Sequence, residues 1–218
     1  WLDLKRMDFT EPDENLYPEY NPLLRESMVE ETHAYFMELV REDLGIRCLV
    51  DSDFVMVNQS LAQVYGLEGV SGSAIRKVPL PANSVRGGFL TQASILKLTA
   101  NGTTTSPVMR GAYVLTKFLG DPPPPPPESV PAVEPDLQMT MTVREQLSAH
   151  REQTECARCH DKMDPLGFAL ECFDVMGQYR THYRAAISAG QKGVPQIFNG
   201  RPAPFRVGPA VDATGVMP

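Results

Sequence analysis

The chain has 218 residues, 42% of them hydrophobic and 22% charged, which is enough to bury a sizeable core in one large or two small domains. A formal net charge of −7 leaves no basic surplus for neutralising phosphates, so a general nucleic-acid binder is excluded. Four cysteines are too few for a disulfide scaffold, and no apolar run reaches the roughly 18–20 residues of a membrane span.

The acidic excess is confined to residues 1–135, with 11 Lys/Arg against 18 Asp/Glu, while residues 136–218 hold 9 of each. Such a surface reads as solvated and implies no partner. The opening WLDLKRMDFT lacks Met and an apolar h-region, and both it and the closing VDATGVMP look cut. The sequence therefore reads as a piece of a longer protein, for which a missing signal says nothing about export.

In chain order, the first predicted element is a helix over 22–44. Leu24, Met28, Tyr35 and Leu39, with neighbouring Val29, Phe36 and Val40, recur at helical spacing, while Glu26, Glu30, Glu31 and Glu38 are expected to face outward. Gly45 suits the position just past its end. His33 on this helix reads as a partly exposed structural residue. Cys48, far from the other cysteines, reads as a small buried apolar residue. A second helix is expected over 54–65, ending at Gly66, followed by a strand-like AIRKVPL. RGGFLTQASILKLTA reads equally as helix or strand, and NGTTTSP as a loop. PVMRGAYVLTKFLG reads as a helix with Pro107 in its first turn and Gly120 past its end. The glycosylation sequons at Asn58 and Asn101 read as chance.

Six consecutive prolines in DPPPPPPESVPAVEPD lock into a polyproline II rod of about 19 Å, at ~3.1 Å per residue. A semi-rigid strut between packed units is the simpler reading, and a ligand for an aromatic-lined groove the alternative. TVREQLSAHREQTE then carries a capping box, Thr142 with Glu145, and delivers the chain into ECARCHDKMDPLGFALECFD.

Cys156, Cys159 and His160 form C-x-x-C-H. Dithiol redox chemistry wants this pair after a strand inside a βαβ pattern, whereas here a helix precedes it. Zinc needs four ligands, and Cys156, Cys159, Cys172 and His182 supply a candidate set. That set is weakened because Leu166, Ala169, Leu170 and Phe173 recur at helical spacing, so Cys172 reads equally as a small helix residue. Covalent haem uses every residue of the motif: two thiols three positions apart add to the two vinyl groups, and the adjacent histidine sits under the iron as proximal ligand. Asp164-Pro165 is expected to turn the chain away after HDKMDP.

Beyond the motif, H-x5-CARCHDKMDPLGFALECFDVMGQYR resembles the C-terminal region of the planctomycete-type multidomain cytochrome c proteins, through C-x-x-C-H, DP-x-GFALE-x-FD and G-x-x-R. RGGFLTQASILKLTANGTTTSPVMRGAYVLTKFLGDPPPPPP is similar to the module that precedes it in that family, and DFTEPDENLYPEYNPLLRESMVEET to the end of the module before. Cys172 departs from the pattern, where Asn is expected, and residues 181–210 match poorly and read as an insertion. The resemblance implies an exported protein larger than this chain, with one covalent haem c, and supplies no substrate; haem c attachment implies a periplasmic or otherwise exported location.

The resulting expectation is a mainly α, multi-module fragment with a C-terminal cytochrome c-like helical haem domain. Its parts are a helical module over 1–72, a small mixed helical module over 73–121, a proline-rich strut over 122–135 and a c-type haem domain over 136–218. The expected function is one-electron transfer with an unidentified redox partner, alongside other modules of the same protein. A haem-dependent oxidoreductase or peroxidase-like enzyme with an open distal site is the alternative, and a zinc-stabilised interaction module the third reading. Met217, His150 and Met176 are the candidate distal ligands. Arg180 and Tyr179 are candidates for the haem propionates, with pairing of Arg180 to Asp174 as the plainer possibility. Phe168 and Leu170 read as haem-packing or core residues, Asp164 as a turn residue, and Glu171 as a helix-surface or capping group.

Overall fold

A computed structural model describes residues 1–125, 136–150, 154–194, 197–198 and 201–215, with the side chains of 149–150, 154–158 and 198 outside the description. Asn21 accepts from the backbone of Leu24 and so caps helix α1, Pro22–Arg41, whose buried stripe is Leu24, Met28, Tyr35 and Leu39. Glu26 and Glu30 face solvent as expected, but Glu31 and Glu38 are buried. The helix ends at Arg41, and Asp43, not Gly45, takes the positive φ that follows.

The expected helix over 54–65 divides in two. Phe54–Val57, aromatic and β-branched, forms strand β1, and Asn58 then caps helix α2, Gln59–Tyr65, through Leu61 N. Strand β2, Arg76–Pro79, lies in the segment read as strand-like and pairs antiparallel with β1, Phe54 opposite Pro79 and Val57 opposite Arg76. The ambiguous stretch resolves as a short 3₁₀ turn, Phe89–Thr91, and helix α3, Ala93–Leu98. Ser106 caps helix α4, Pro107–Val114, which runs on through a π turn, Leu115–Leu119, to Gly120 in the left-handed region. Most of the proline-rich stretch lies outside the described residues.

Helix α5, Val143–His150, carries the expected capping box: Thr142 N donates to Glu145 Oε2 at 2.7 Å, and Glu145 N to Thr142 Oγ1 at 3.2 Å. Helix α6, Thr154–Phe168, contains the whole C-x-x-C-H motif and continues through HDKMDP. The turn expected at Asp164-Pro165 is therefore absent. Pro165 sits in the last turn, where its missing N–H removes one intrahelical bond, and the helix stops three residues later. The segment expected to be helical around Cys172 is instead a series of turns. Leu170, Glu171 and Phe173 each donate to the carbonyl three residues back, and an isolated bridge joins Phe173 to Tyr179.

The segment expected to be an insertion supplies strand β3, His182–Ala186, strands β4 and β5, Ile197–Phe198 and Arg201–Pro202, and strand β6, Phe205–Ala210. β3 pairs antiparallel with β6 and β4 with β5. Three two-stranded sheets beside six α-helices make the described fold mixed α and β, which overturns the mainly α expectation. Two features hide the strands from local patterning: β2 and β5 are short and mostly exposed, and the four residues of β1 are all buried, so they show no period-two alternation ahead of the helix that follows.

Among the described residues the core has three parts. The largest gathers Met7, Leu16 and Tyr17, the buried stripe of α1, β1, α2 and α3, and receives Val175, Met176 and Phe205 from the C-terminal half. A second joins α4 to α6 through Leu90, Leu96, Val114, Leu115, Met163, Leu166, Leu170 and Phe173. A third seats α5 on β3 through Met139, Val143, Leu147, Phe168, Tyr183 and Ala185. Helices α4 and α6 meet at two glycines. A Cβ on Gly111 would overlap the carbonyl of Met163, and one on Gly167 the carbonyl of Pro107, so the two backbones are in direct contact.

Candidate functional site

Positions 156, 159 and 160 lie on one helix at i, i+3 and i+4, which places them along one side of α6. Cys159 is a free, half-buried thiol packed against the α4–α6 cluster. His160 is 8% exposed, and its Nδ1 lies 2.9 Å from Oδ1 of Asp164, one turn on and 1% exposed. An ionised carboxylate oxygen only accepts, so in such a pair Nδ1 is the donor. Asp164 is therefore a buried partner of the motif histidine and not a turn residue. Its i+4 spacing from His160 is legible in the sequence, but the Asp-Pro pair satisfies the turn rule and masks it.

A second buried polar centre is Glu171, fully buried and not on a helix surface. Its Oε1 accepts from Thr105 Oγ1, from Arg180 Nη2 at 2.9 Å and from the Tyr183 hydroxyl at 3.0 Å, while Oε2 lies 3.6 Å from Arg110 Nη1. Arg180 also donates to Thr105 Oγ1 at 2.8 Å and to the Glu171 carbonyl. The ion pair of Arg180 is thus with Glu171 rather than with Asp174. Arg110, from α4, donates to the carbonyls of Leu170 at 2.7 Å, Phe173 at 2.8 Å and Asp174 at 3.0 Å. Burial pulls the Arg110 guanidinium down to about 10, so it stays charged at neutral pH. Asp174 Oδ1 accepts from the backbones of Met176 and Gln178 and closes the turn that follows. A charged cluster centred on Glu171 therefore fixes residues 170–174, the chain leaving the motif helix, against α4. Sequence reasoning did not find Arg110, Thr105 or Tyr183, because their partners are 60 or more residues away for Arg110 and Thr105 and across a turn for Tyr183.

The remaining sequence-selected residues are spread out. Met176 is fully buried in the largest core cluster, whereas Cys159 packs against the α4–α6 cluster, and Met176 shares no helix with Phe173. Tyr179 is 47% exposed and meets the Phe173 ring edge-on at 6.1 Å. His182 is exposed on β3, next to the Thr181 hydroxyl, and burial pushes the Cys172 thiol up, away from the thiolate that zinc needs. Among the described residues no group of three or more His, Cys, Asp or Glu is placed to hold a metal ion. The side chains of Cys156 and His150, and all of Met217, lie outside the described residues. His33 is exposed, and Cys48 is half-buried against the largest core cluster.

Residues 86–183 match the family model PSCyt3, described as a protein of unknown function (DUF1588). Residues 1–67 match PSD4, described as a protein of unknown function (DUF1592). Both are, by name, planctomycete cytochrome c-type domains. The PSCyt3 match takes in α4, α6, the motif, Asp164 and the Glu171 cluster. No curated protein and no solved structure matches the chain. No described helix is long and apolar enough to cross a membrane.

Proposed function

We propose that this chain holds one haem c, attached through the thiols of Cys156 and Cys159 with His160 as proximal ligand, and serves as a one-electron carrier outside the cytoplasm. The observation that carries the reading is the His160 imidazole, buried on the motif helix with its Nδ1 held 2.9 Å from Oδ1 of Asp164. The donor set fits the group. Cys159 is a free thiol next in sequence to that imidazole, and position 156 lies one helical turn before the histidine on the same helix. Bound haem would supply an iron that cycles between ferrous and ferric states.

The protein's own contribution is positional. The α4–α6 backbone contact holds the motif helix, and Met163, Leu166 and Leu170 keep its inner face dry. The Glu171 cluster fixes the exit chain so that the helix cannot swing. Thioether attachment requires an export-side maturation system, which is why the reading includes a periplasmic location, a redox partner and neighbouring modules of a larger protein. The PSCyt3 match supports it by name.

The test is the absorption spectrum of the denatured protein in alkaline pyridine after expression with a c-type maturation system. A haemochrome typical of two thioethers is expected, shifting to the one-thioether form in Cys156→Ala or Cys159→Ala. A spectrum without retained porphyrin refutes the proposal.

A further inference from the structure

We infer that Asp164 is a positioning residue for the proximal histidine, one that sets how readily the iron accepts an electron. This rests on the haem reading above. Two observations converge on it. The Nδ1–Oδ1 distance of 2.9 Å is that of a charge-assisted hydrogen bond, and both side chains are withdrawn from water, His160 at 8% and Asp164 at 1% exposure. A carboxylate that accepts from the non-ligating nitrogen fixes the ring's tautomer and rotation, and raises the electron-donating power of the ligating one. In a low-dielectric setting the same negative charge favours the ferric over the ferrous iron.

The helix gives this pair its rigidity. His160 and Asp164 stand at i and i+4 on α6, so the bond is made within one turn and depends on no loop. Gly111 and Gly167 pin that turn against α4 from both sides, and Met163 and Leu166 are buried beside it. Asp161, on the same helix and adjacent to the histidine, is exposed and carries the same formal charge, so it serves as the comparison position.

The experiment compares wild type, Asp164→Asn and Asp161→Asn, each matured with haem and each checked first for two thioethers by the pyridine spectrum. Outer-shell partners of metal-bound histidine act on the 10–100-fold scale. Asp164→Asn is therefore expected to shift the ferric-to-ferrous ratio at fixed potential at least about tenfold toward ferrous. That is a midpoint about 59 mV higher for one electron. Asp161→Asn is expected to shift it much less. Equal shifts in the two variants, or none in Asp164→Asn, overturn the inference while leaving haem attachment standing. Loss of haem from all three overturns the attachment reading instead. Should Asp164→Asn fail to accumulate, nitrogen-15 NMR of the wild-type ferrous protein decides the matter. A downfield, exchange-protected His160 Nδ1 proton is expected, and one exchanging freely with water would overturn the inference.

Discussion

Replacing Arg110 by Met removes a side chain of α4 that grips the chain beyond the motif helix through three backbone carbonyls, those of Leu170, Phe173 and Asp174. Each such bond contributes about 1 kcal/mol net, and orphaned buried carbonyls cost more than exposed ones. Glu171 keeps Arg180 at 2.9 Å but loses the second guanidinium at 3.6 Å. Removing one partner from a buried pair costs about 3–5 kcal/mol, and the surviving Arg180 contact places this case at the lower end. Met fills much of the vacated volume, and relief from desolvating a guanidinium offsets part of the loss. The expected destabilisation is thus about 3 kcal/mol. Arg110→Lys restores the charge without the planar fork, so it should recover less than half of it. Urea unfolding followed by circular dichroism measures this as a lower midpoint at constant slope. A loss below about 1 kcal/mol, or a Lys variant as stable as the parent, would refute the view that the forked contacts hold the exit chain.

Burial pushes the Glu31 carboxyl up to about 8, with Tyr65 donating to it and Arg86 opposing the shift. A carboxyl raised in the folded state binds its proton more tightly there than when unfolded, so its contribution falls as pH rises from about 4.5 to about 8 and is level beyond. Glu31→Gln should remove that slope, changing the stability difference between pH 5 and pH 8.5 by on the order of 4 kcal/mol relative to wild type. Parallel pH profiles for the two proteins would contradict this. Gly111→Ala or Gly167→Ala forces a methyl into a backbone carbonyl across the α4–α6 contact. Each should cost about 2–3 kcal/mol in thermal or urea unfolding, against under 1 kcal/mol for Gly45→Ala, where nothing lies within 4 Å.

The helices at α1, α4 and α5 were legible because each begins with a side-chain cap and keeps its apolar residues at helical spacing. The C-x-x-C-H motif stands out in the sequence because two cysteines and a histidine fall within five positions, which the structure carries on one helix. What escaped reading depends on distance. Arg110 meets carbonyls 60 residues away, Thr105 meets Glu171 at a separation of 66, and Phe205 packs into a core built by α1. Local rules also misled where two applied at once. Asp164-Pro165 satisfies the turn rule, yet the buried bond to His160 and the α4 backbone contact keep the helix intact. Glu31 and Glu38 sit on a helix face that solvent would claim were it not for Tyr65 and Lys77 from neighbouring elements.

Haem retention is tested most directly by intact-mass measurement. The chain is matured in an export-competent host, unfolded, and stripped with acidified organic solvent before it is weighed. The account predicts a mass increased by one haem that survives extraction, and loss of that increment when Cys156 and Cys159 are both replaced by Ala. A bare polypeptide mass from a host that attaches haem to a control cytochrome would contradict it.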